Sequence, residues 1–202
     1  MFDHLNHFLF SLFNATPGLA GWRLHAAIFA AEWVILVVPL GMVLMWTNGL
    51  PGQREAAVRA LLAAIVALTM SKLIGLMWFH PRPFIAGIGQ TYLVHAPDSS
   101  FPSDHATSMF SVALALAVCQ LREARRFGLV LLVLAVVVAW ARVFLGVHWP
   151  LDMVAAFIVS SLAAVWVSTR NGQLLAATLV ALIETVYRRL LATPIARGWL
   201  RP

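Results

Sequence analysis

The sequence predicts an all-α bundle of membrane-spanning helices, and its composition and the spacing of its apolar runs both point to that fold class. Of the 202 residues, 61% are hydrophobic and only 11% are charged. A soluble domain of this length lacks the polar groups to cover so much apolar surface, so a bilayer is the expected solvent. The chain shows no internal repeat and no low-complexity linker, and we therefore expect a single domain over residues 1–202.

Five apolar runs approach the length of about 20 residues that a helix needs to cross the hydrocarbon core. They are residues 25–46, 56–79, 104–121, 127–146 and 151–169, and turn residues separate them. Ahead of them, residues 2–13 alternate apolar and polar groups at helical spacing. This pattern predicts an N-terminal helix that lies in the membrane interface.

A sixth apolar run, residues 174–186, leaves two topologies open. Basic residues concentrate on the cytoplasmic side of membrane proteins. With five spans, one side holds Arg54, Arg59, Arg122, Arg125, Arg126, Arg170, Arg188, Arg189, Arg197 and Arg201. With six spans the last four of these cross over and the bias almost vanishes. We therefore predict five transmembrane helices and an interfacial C-terminal helix, with six transmembrane helices as the alternative.

The charge of the chain fits this topology better than it fits a nucleic-acid-binding protein. The formal net charge is +6, but the arginines lie in short segments between apolar runs. We therefore expect membrane lipids as partners and no nucleic acid. The single cysteine, Cys119, excludes an intramolecular disulfide.

Three polar clusters interrupt the apolar chain. The first contains Lys72 and residues 80–84, the second is residues 100–105, and the third contains Arg142, His148 and Asp152. By the span count, all three open on the outer face of the membrane. Ionisable groups are costly at membrane depth and usually mark a functional site.

The residue types in these clusters suit phosphoryl transfer. Two histidines can act as nucleophile and as general acid. Asp152 lies one helical turn after His148 and can hold that imidazole in one tautomer. Arginines can neutralise a phosphoryl group, and the N-terminus of the third span is a ready anion site. No cluster of carboxylates or cysteines predicts a metal, so we expect neither metal nor cofactor.

The spacing of these residues resembles the type-2 phosphatidic acid phosphatase superfamily. The pattern consists of an upstream lysine with Arg82-Pro83, then Pro102-Ser103-x-His105, then Arg142-x5-His148-x3-Asp152. The flanking residues are similar to the bacitracin-resistance type of undecaprenyl diphosphatase. The resemblance implies that His148 attacks phosphorus, Asp152 orients His148, and His105 protonates the leaving oxygen. It also implies four phosphate-binding residues: Lys72, Arg82, Ser103 and Arg142.

The same resemblance implies the reaction and the location. Undecaprenyl diphosphate would be hydrolysed to undecaprenyl phosphate and inorganic phosphate, at a site that faces the periplasm or cell exterior of a bacterial plasma membrane. Three alternatives stay open. One is a phosphatase for another lipid (phosphatidate, phosphatidylglycerol phosphate or the phosphates of lipid A), another is a lipid phosphotransferase, and the third is a non-enzymatic membrane protein.

Three positions depart from the family pattern. The family lysine stands seven residues before Arg-Pro, where this chain has Gly75; Asp104 replaces a glycine, and Ala141 replaces a serine. Lys72 lies about one helical turn deeper than Gly75. We consider a Glu32–Lys72 pair within the membrane or, equally, a protonated Glu32. We interpret His80 and His95 as loop-surface residues.

Overall fold

A computed structural model describes residues 2–50 and 52–201, and within these ranges the chain is helical with no β-strand. The helices are α1 (Phe2–Phe13), α2 (Trp22–Glu32), a 3₁₀ turn (Val34–Leu36), α3 (Val37–Asn48), α4 (Gln53–Met77), α5 (Asp104–Ala117), α6 (Arg122–Phe144), α7 (Pro150–Ser168), α8 (Arg170–Leu190) and α9 (Ala192–Ala196). The predicted all-α class is therefore confirmed.

Four helical stretches in the described residues are long and apolar enough to cross a bilayer. They are residues 22–48, in which α2 continues through the 3₁₀ turn into α3, together with α4, α6 and α7. They correspond to four of the five predicted spans, with ends that differ by a few residues.

The fifth predicted span, residues 104–121, is the one whose length was wrong. Its helix α5 ends at Ala117 after 14 residues, which gives about 21 Å against a hydrocarbon core of about 30 Å. It forms the centre of the bundle, enclosed by α4, α6 and α7. Gly128 of α6 meets the α5 backbone so closely that a Cβ there would overlap Ala117. A central helix whose sides are covered by other helices can be short, because its own ends are capped by protein.

Helix α8 crosses the end of α4 instead of running along it. Arg59 donates to Ser168, just before α8, at 3.4 Å, and Arg54 donates to Glu184, near the other end of α8, at 2.9 Å. A helix of 21 residues is about 31 Å long, yet both of its ends meet residues only five positions apart on α4. Apolar residues of α8, including Ala176, pack onto the core. This geometry favours the interfacial helix over a sixth span, and the helix is longer than the predicted residues 174–186.

Helix α1 has the predicted bounds and packs on the opposite end of the bundle. The side-chain oxygen of Asn6 accepts a hydrogen bond from the Leu151 N–H at 3.1 Å, and so satisfies a free donor in the first turn of α7. The rings of His7 and Phe10 lie 4.9 and 5.0 Å from the ring of Trp149. Helix α1 therefore covers the residues that carry the predicted site.

Candidate active site

The site forms where the connection between α4 and α5 meets the short connection between α6 and α7. The Tyr92 N–H donates to the Leu145 carbonyl at 3.0 Å, and the Ser103 N–H to the Asp152 carbonyl at 3.5 Å. Gly146 has φ +79°, and a Cβ there would overlap the Gln90 carbonyl oxygen. The two connections are thus held in direct backbone contact, and the three polar clusters of the sequence converge as predicted.

Asp152 both caps helix α7 and holds the histidine that precedes it. Its Oδ2 accepts a hydrogen bond from the Trp149 N–H at 2.7 Å and lies 3.2 Å from His148 Nδ1. The Ser100 hydroxyl donates to the same oxygen. Pro150 in the first turn provides a backbone angle suited to a helix start. The one-turn spacing of His148 and Asp152 therefore gives the predicted contact.

The surroundings of His148 select one tautomer. Its Nδ1 lies 3.0 Å from the Ser100 carbonyl oxygen, which can only accept a hydrogen bond, so Nδ1 carries the proton. Nε2 then has the lone pair, and it faces Arg82 Nη1 at 2.9 Å. The residue is 2% exposed, and burial, with the positive charges of Arg82 and Arg142, holds the pKa of His148 well below 6.5. The buried imidazole is therefore neutral at neutral pH.

Arg82 is held on all sides of its guanidinium group. Nη1 donates to the Val147 carbonyl at 2.9 Å, Nε to Asp98 Oδ1 at 2.9 Å, and Nη2 to the Ser99 carbonyl at 3.3 Å. Asp98 Oδ1 also lies 2.8 Å from Nη2. These contacts fix the guanidinium beside the lone pair of His148.

Arg142, at the end of α6, is buried without such partners. It is 2% exposed, and its Nε and Nη2 make no hydrogen bond to any described residue. Its charge acts on both His95 and His148. Leaving a buried charged donor unpaired is costly. The arrangement therefore has an unfilled capacity for an anion next to His148.

Ser103 and His105 lie at the start of α5. The hydroxyl oxygen of Ser103 accepts a hydrogen bond from the Ala106 N–H at 3.5 Å, so it caps the helix. His105 is partly exposed and lies within electrostatic range of Arg142, His95 and Asp104. Its ring nitrogens make no hydrogen bond to the part of the chain that the structure describes. It is thus free to exchange a proton with a bound group.

Comparison with known proteins fits this geometry. The sequence model described as the PAP2 superfamily matches residues 56–190. This chain belongs to the PAP2 superfamily. It is 42% identical over 206 residues to the Escherichia coli (strain K12) protein named "Putative undecaprenyl-diphosphatase YbjG", with all of both chains covered. It is 32% identical over 133 residues to "Undecaprenyl-diphosphatase BcrC" of Bacillus subtilis (strain 168), over 66% of this chain and 67% of that protein.

A solved structure shows the same fold at lower sequence identity. The crystal structure of LpxE from Aquifex aeolicus superposes with a TM-score of 0.61 and 22% identity, covering 80% of this chain and 93% of that chain. With its apolar helices and its membership of the PAP2 superfamily, the chain is a multi-pass membrane protein. Among residues 2–50 and 52–201, no three His, Cys, Asp or Glu side chains are grouped so as to hold a metal ion. Metal independence stays a prediction.

Lys72 does not join the other predicted phosphate-binding residues of this PAP2 site. Its Nζ lies 2.6 Å from Asp104 Oδ2, and the Ser71 hydroxyl donates to Asp104 Oδ1 at 3.3 Å. The two charged groups border a cavity of about 280 Å³ that also contacts Gly75. The predicted Glu32–Lys72 ion pair is therefore wrong: Asp104, from the next helix, takes the ammonium group. The charge of Glu32 acts instead on Arg142.

Several site residues were missed at the sequence level. Asp98, Ser99 and Ser100 contact Arg82, His148 or Asp152 as described above. The interpretation of His80 and His95 as surface residues was wrong, because His80 is 9% exposed and the ring of His95 lies 6.1 Å from that of His148. The polar run just before Pro102 was the available signal, but no helical or strand period places loop side chains.

Proposed function

We propose that this chain is a metal-independent undecaprenyl-diphosphate phosphatase that works through a phosphohistidine at His148. The proposal is carried by one observation: Nδ1 of His148 is held by backbone and carboxylate, while its Nε2 lone pair faces a buried, cationic space. This is the arrangement that an imidazole nucleophile requires. The substrate class is supported by the names of the two undecaprenyl-diphosphatase relatives.

In the first step, Nε2 of His148 attacks the terminal phosphorus of the diphosphate. The bond from that phosphorus to the bridging oxygen breaks, and His105 gives a proton to the departing undecaprenyl phosphate. Arg142 and Arg82 neutralise charge on the phosphoryl oxygens, which displace the present contact between Arg82 and Nε2. Asp152 and the Ser100 carbonyl stabilise the imidazole as it becomes positive.

In the second step, water attacks the phosphohistidine. His105, now neutral, accepts a proton from the water, and the bond from Nε2 to phosphorus breaks. Inorganic phosphate leaves, and His148 returns to the tautomer described above. Ser103 and the N-terminus of α5 add hydrogen-bond donors near the phosphoryl group.

The position of the site suits a lipid whose headgroup reacts at the membrane surface. The prenyl chain stays in the hydrocarbon while the diphosphate reaches the cationic end of the bundle. We place the protein in the bacterial plasma membrane with this end facing the periplasm or cell exterior. The arginines near the opposite end, which include Arg54, Arg59 and Arg188, support that orientation through the positive-inside rule.

Phosphate release from purified protein tests the function. Wild type, His148→Ala and His105→Ala are each incubated with undecaprenyl diphosphate in the presence of a chelator. We expect release by wild type and almost none by either variant. Quenching at alkaline pH, where phosphohistidine survives, should retain phosphate from a labelled substrate on wild type and not on His148→Ala.

A panel of other lipids gives the test its specificity. Phosphatidate, phosphatidylglycerol phosphate and a lipid A phosphate should react more slowly than undecaprenyl diphosphate. Faster release from any of them would overturn the substrate, and loss of activity in chelator would overturn the metal-free mechanism. Transfer of phosphate to an added lipid acceptor in preference to water would make the protein a phosphotransferase.

A further inference from the structure

A third histidine borders the reacting one and has no part in the mechanism above. His95 lies in the connection between α4 and α5, and its ring meets that of His148 edge to face, with centroids 6.1 Å apart. Its side chain is 22% exposed. An imidazole in this position is open to solvent on one side and lies against the nucleophile on the other.

Two acceptors fix the ring of His95. Nδ1 lies 3.1 Å from the Ala96 carbonyl oxygen and 3.7 Å from Asp98 Oδ1. Because both are acceptors, Nδ1 carries the proton of the neutral ring. Nε2 makes no hydrogen bond to the described part of the chain and keeps its lone pair. The same Asp98 oxygen binds Arg82, so one carboxylate positions both the arginine and the imidazole.

The charges around His95 come from every segment that surrounds it. They are Arg82 and Asp98 on its own connection, His105 on α5, Arg142 on α6 and His148 before α7. Burial and the two arginines lower the pKa of His95 below 6.5, so the ring is neutral while the site is empty. A bound anion reverses this balance, since opposite charge favours the protonated form.

The charge of a diphosphate exceeds what the arginines supply. Asp98 offsets the charge of Arg82, which leaves Arg142 as the uncompensated guanidinium of the pair. A lipid diphosphate carries a second phosphate group that a monoester lacks, and that group needs a further cationic donor. A protonated His95 beside the nucleophile supplies one.

We propose that His95 binds the phosphate next to the reacting one, which leaves with the lipid, and so makes the site prefer diphosphates over phosphate monoesters. This inference rests on the proposed function. When a diphosphate binds, His95 takes up a proton at Nε2, and the imidazolium donates to the leaving phosphate. A monoester places no phosphate there and gains nothing from it.

The test compares two substrates in two variants. Steady-state kinetics are measured with undecaprenyl diphosphate and with phosphatidate for wild type, His95→Gln and the control His25→Gln. His25 is an exposed histidine whose Nδ1 binds the Gly21 carbonyl of its own helix end at 2.8 Å. We expect His95→Gln to lower kcat/KM for the diphosphate about tenfold, the effect of one charge-assisted hydrogen bond. For phosphatidate we expect less than about a twofold change, and for His25→Gln none with either substrate.

A second measurement checks the proton. Inhibition by methylenediphosphonate should strengthen as the pH falls from 7.5 to 5.5 in wild type, and this gain should be smaller in His95→Gln. Inhibition by inorganic phosphate should change equally in both proteins.

The outcomes separate this inference from the proposed function. Unchanged diphosphate kinetics in His95→Gln, or equal losses on both substrates, overturn the role of His95 while wild-type activity keeps the function. If wild type cleaves phosphatidate and not the diphosphate, the proposed function fails and this inference fails with it. Retained phosphatidate activity in His95→Gln shows at the same time that the variant is folded.

Discussion

Two buried arginines, one at each end of the bundle, have opposite surroundings. Arg54 is 7% exposed and donates to the Trp46 carbonyl at 3.2 Å, to Glu184 at 2.9 Å and to the Arg201 carbonyl at 3.0 Å. Its guanidinium also lies 5.3 and 5.1 Å from the ring centroids of Trp46 and Tyr187. Arg142 is 2% exposed, and two of its nitrogens have no partner among the described residues.

The difference separates a structural charge from a functional one. Burying a guanidinium is tolerated when its donors are paired, and Arg54 uses its partners to hold α8 across the ends of α3 and α4. An unpaired guanidinium is costly, and the cost is recovered when an anion arrives. Burial alone therefore does not identify a site, whereas burial without partners does.

The largest expected effect is at the nucleophile. His148→Ala should lower kcat for phosphate release by roughly 10⁴-fold or more, because no other group offers the covalent route. The measurement is steady-state release from undecaprenyl diphosphate, with His25→Ala as a histidine control away from the site. Activity above a tenth of wild type would remove His148 from its assigned role.

The comparison itself is tested by matched substitutions. Arg142→Lys should lower kcat/KM about 100-fold, since lysine keeps the charge but loses the planar donors. Arg54→Lys should leave kcat/KM per folded molecule within about twofold. Equal losses in the two variants would show that partners in the empty protein do not distinguish the two arginines.

The opposite end should respond in stability instead of activity. Glu184→Leu leaves Arg54 buried without its carboxylate and should lower the free energy of unfolding by about 2 kcal/mol. This is less than for a fully buried pair, because the Glu184 side chain is 27% exposed. Thermal unfolding in detergent measures it, with the exposed Glu123→Leu as control. A fall in kcat with unchanged stability would contradict the structural role.

The exposed ion pair beside the site should matter less. The side chains of Lys72 and Asp104 are 62% and 38% exposed, and such pairs contribute little. Lys72→Gln should therefore lower kcat/KM less than about fivefold. If the loss matches that of Arg142→Lys, the lysine leaves Asp104 to bind phosphate when substrate is present.

The smallest expected change is in the acid limb of the pH profile. A histidine with a pKa of 6.5 would lose about tenfold of its neutral form between pH 7.5 and 5.5. Because the pKa of His148 is lowered, its neutral form persists as the pH falls, and kcat/KM should drop less than about threefold. An acid limb centred at or above pH 6.5 would show that His148 is ordinary in its protonation.

The sequence by itself determined the all-α membrane fold, since the lengths of its apolar runs and its few charges leave no soluble alternative. The spacing of Arg142, His148 and Asp152 also fixed their grouping, because one helix end and one helix start hold them rigidly. Tertiary structure alone decided that α5 stops at Ala117 inside the bundle. It also decided that Asp104 binds Lys72, and that Asp98 joins His95 to Arg82. These contacts depend on loop paths and on approaches between helices, for which local periodicity has no signal.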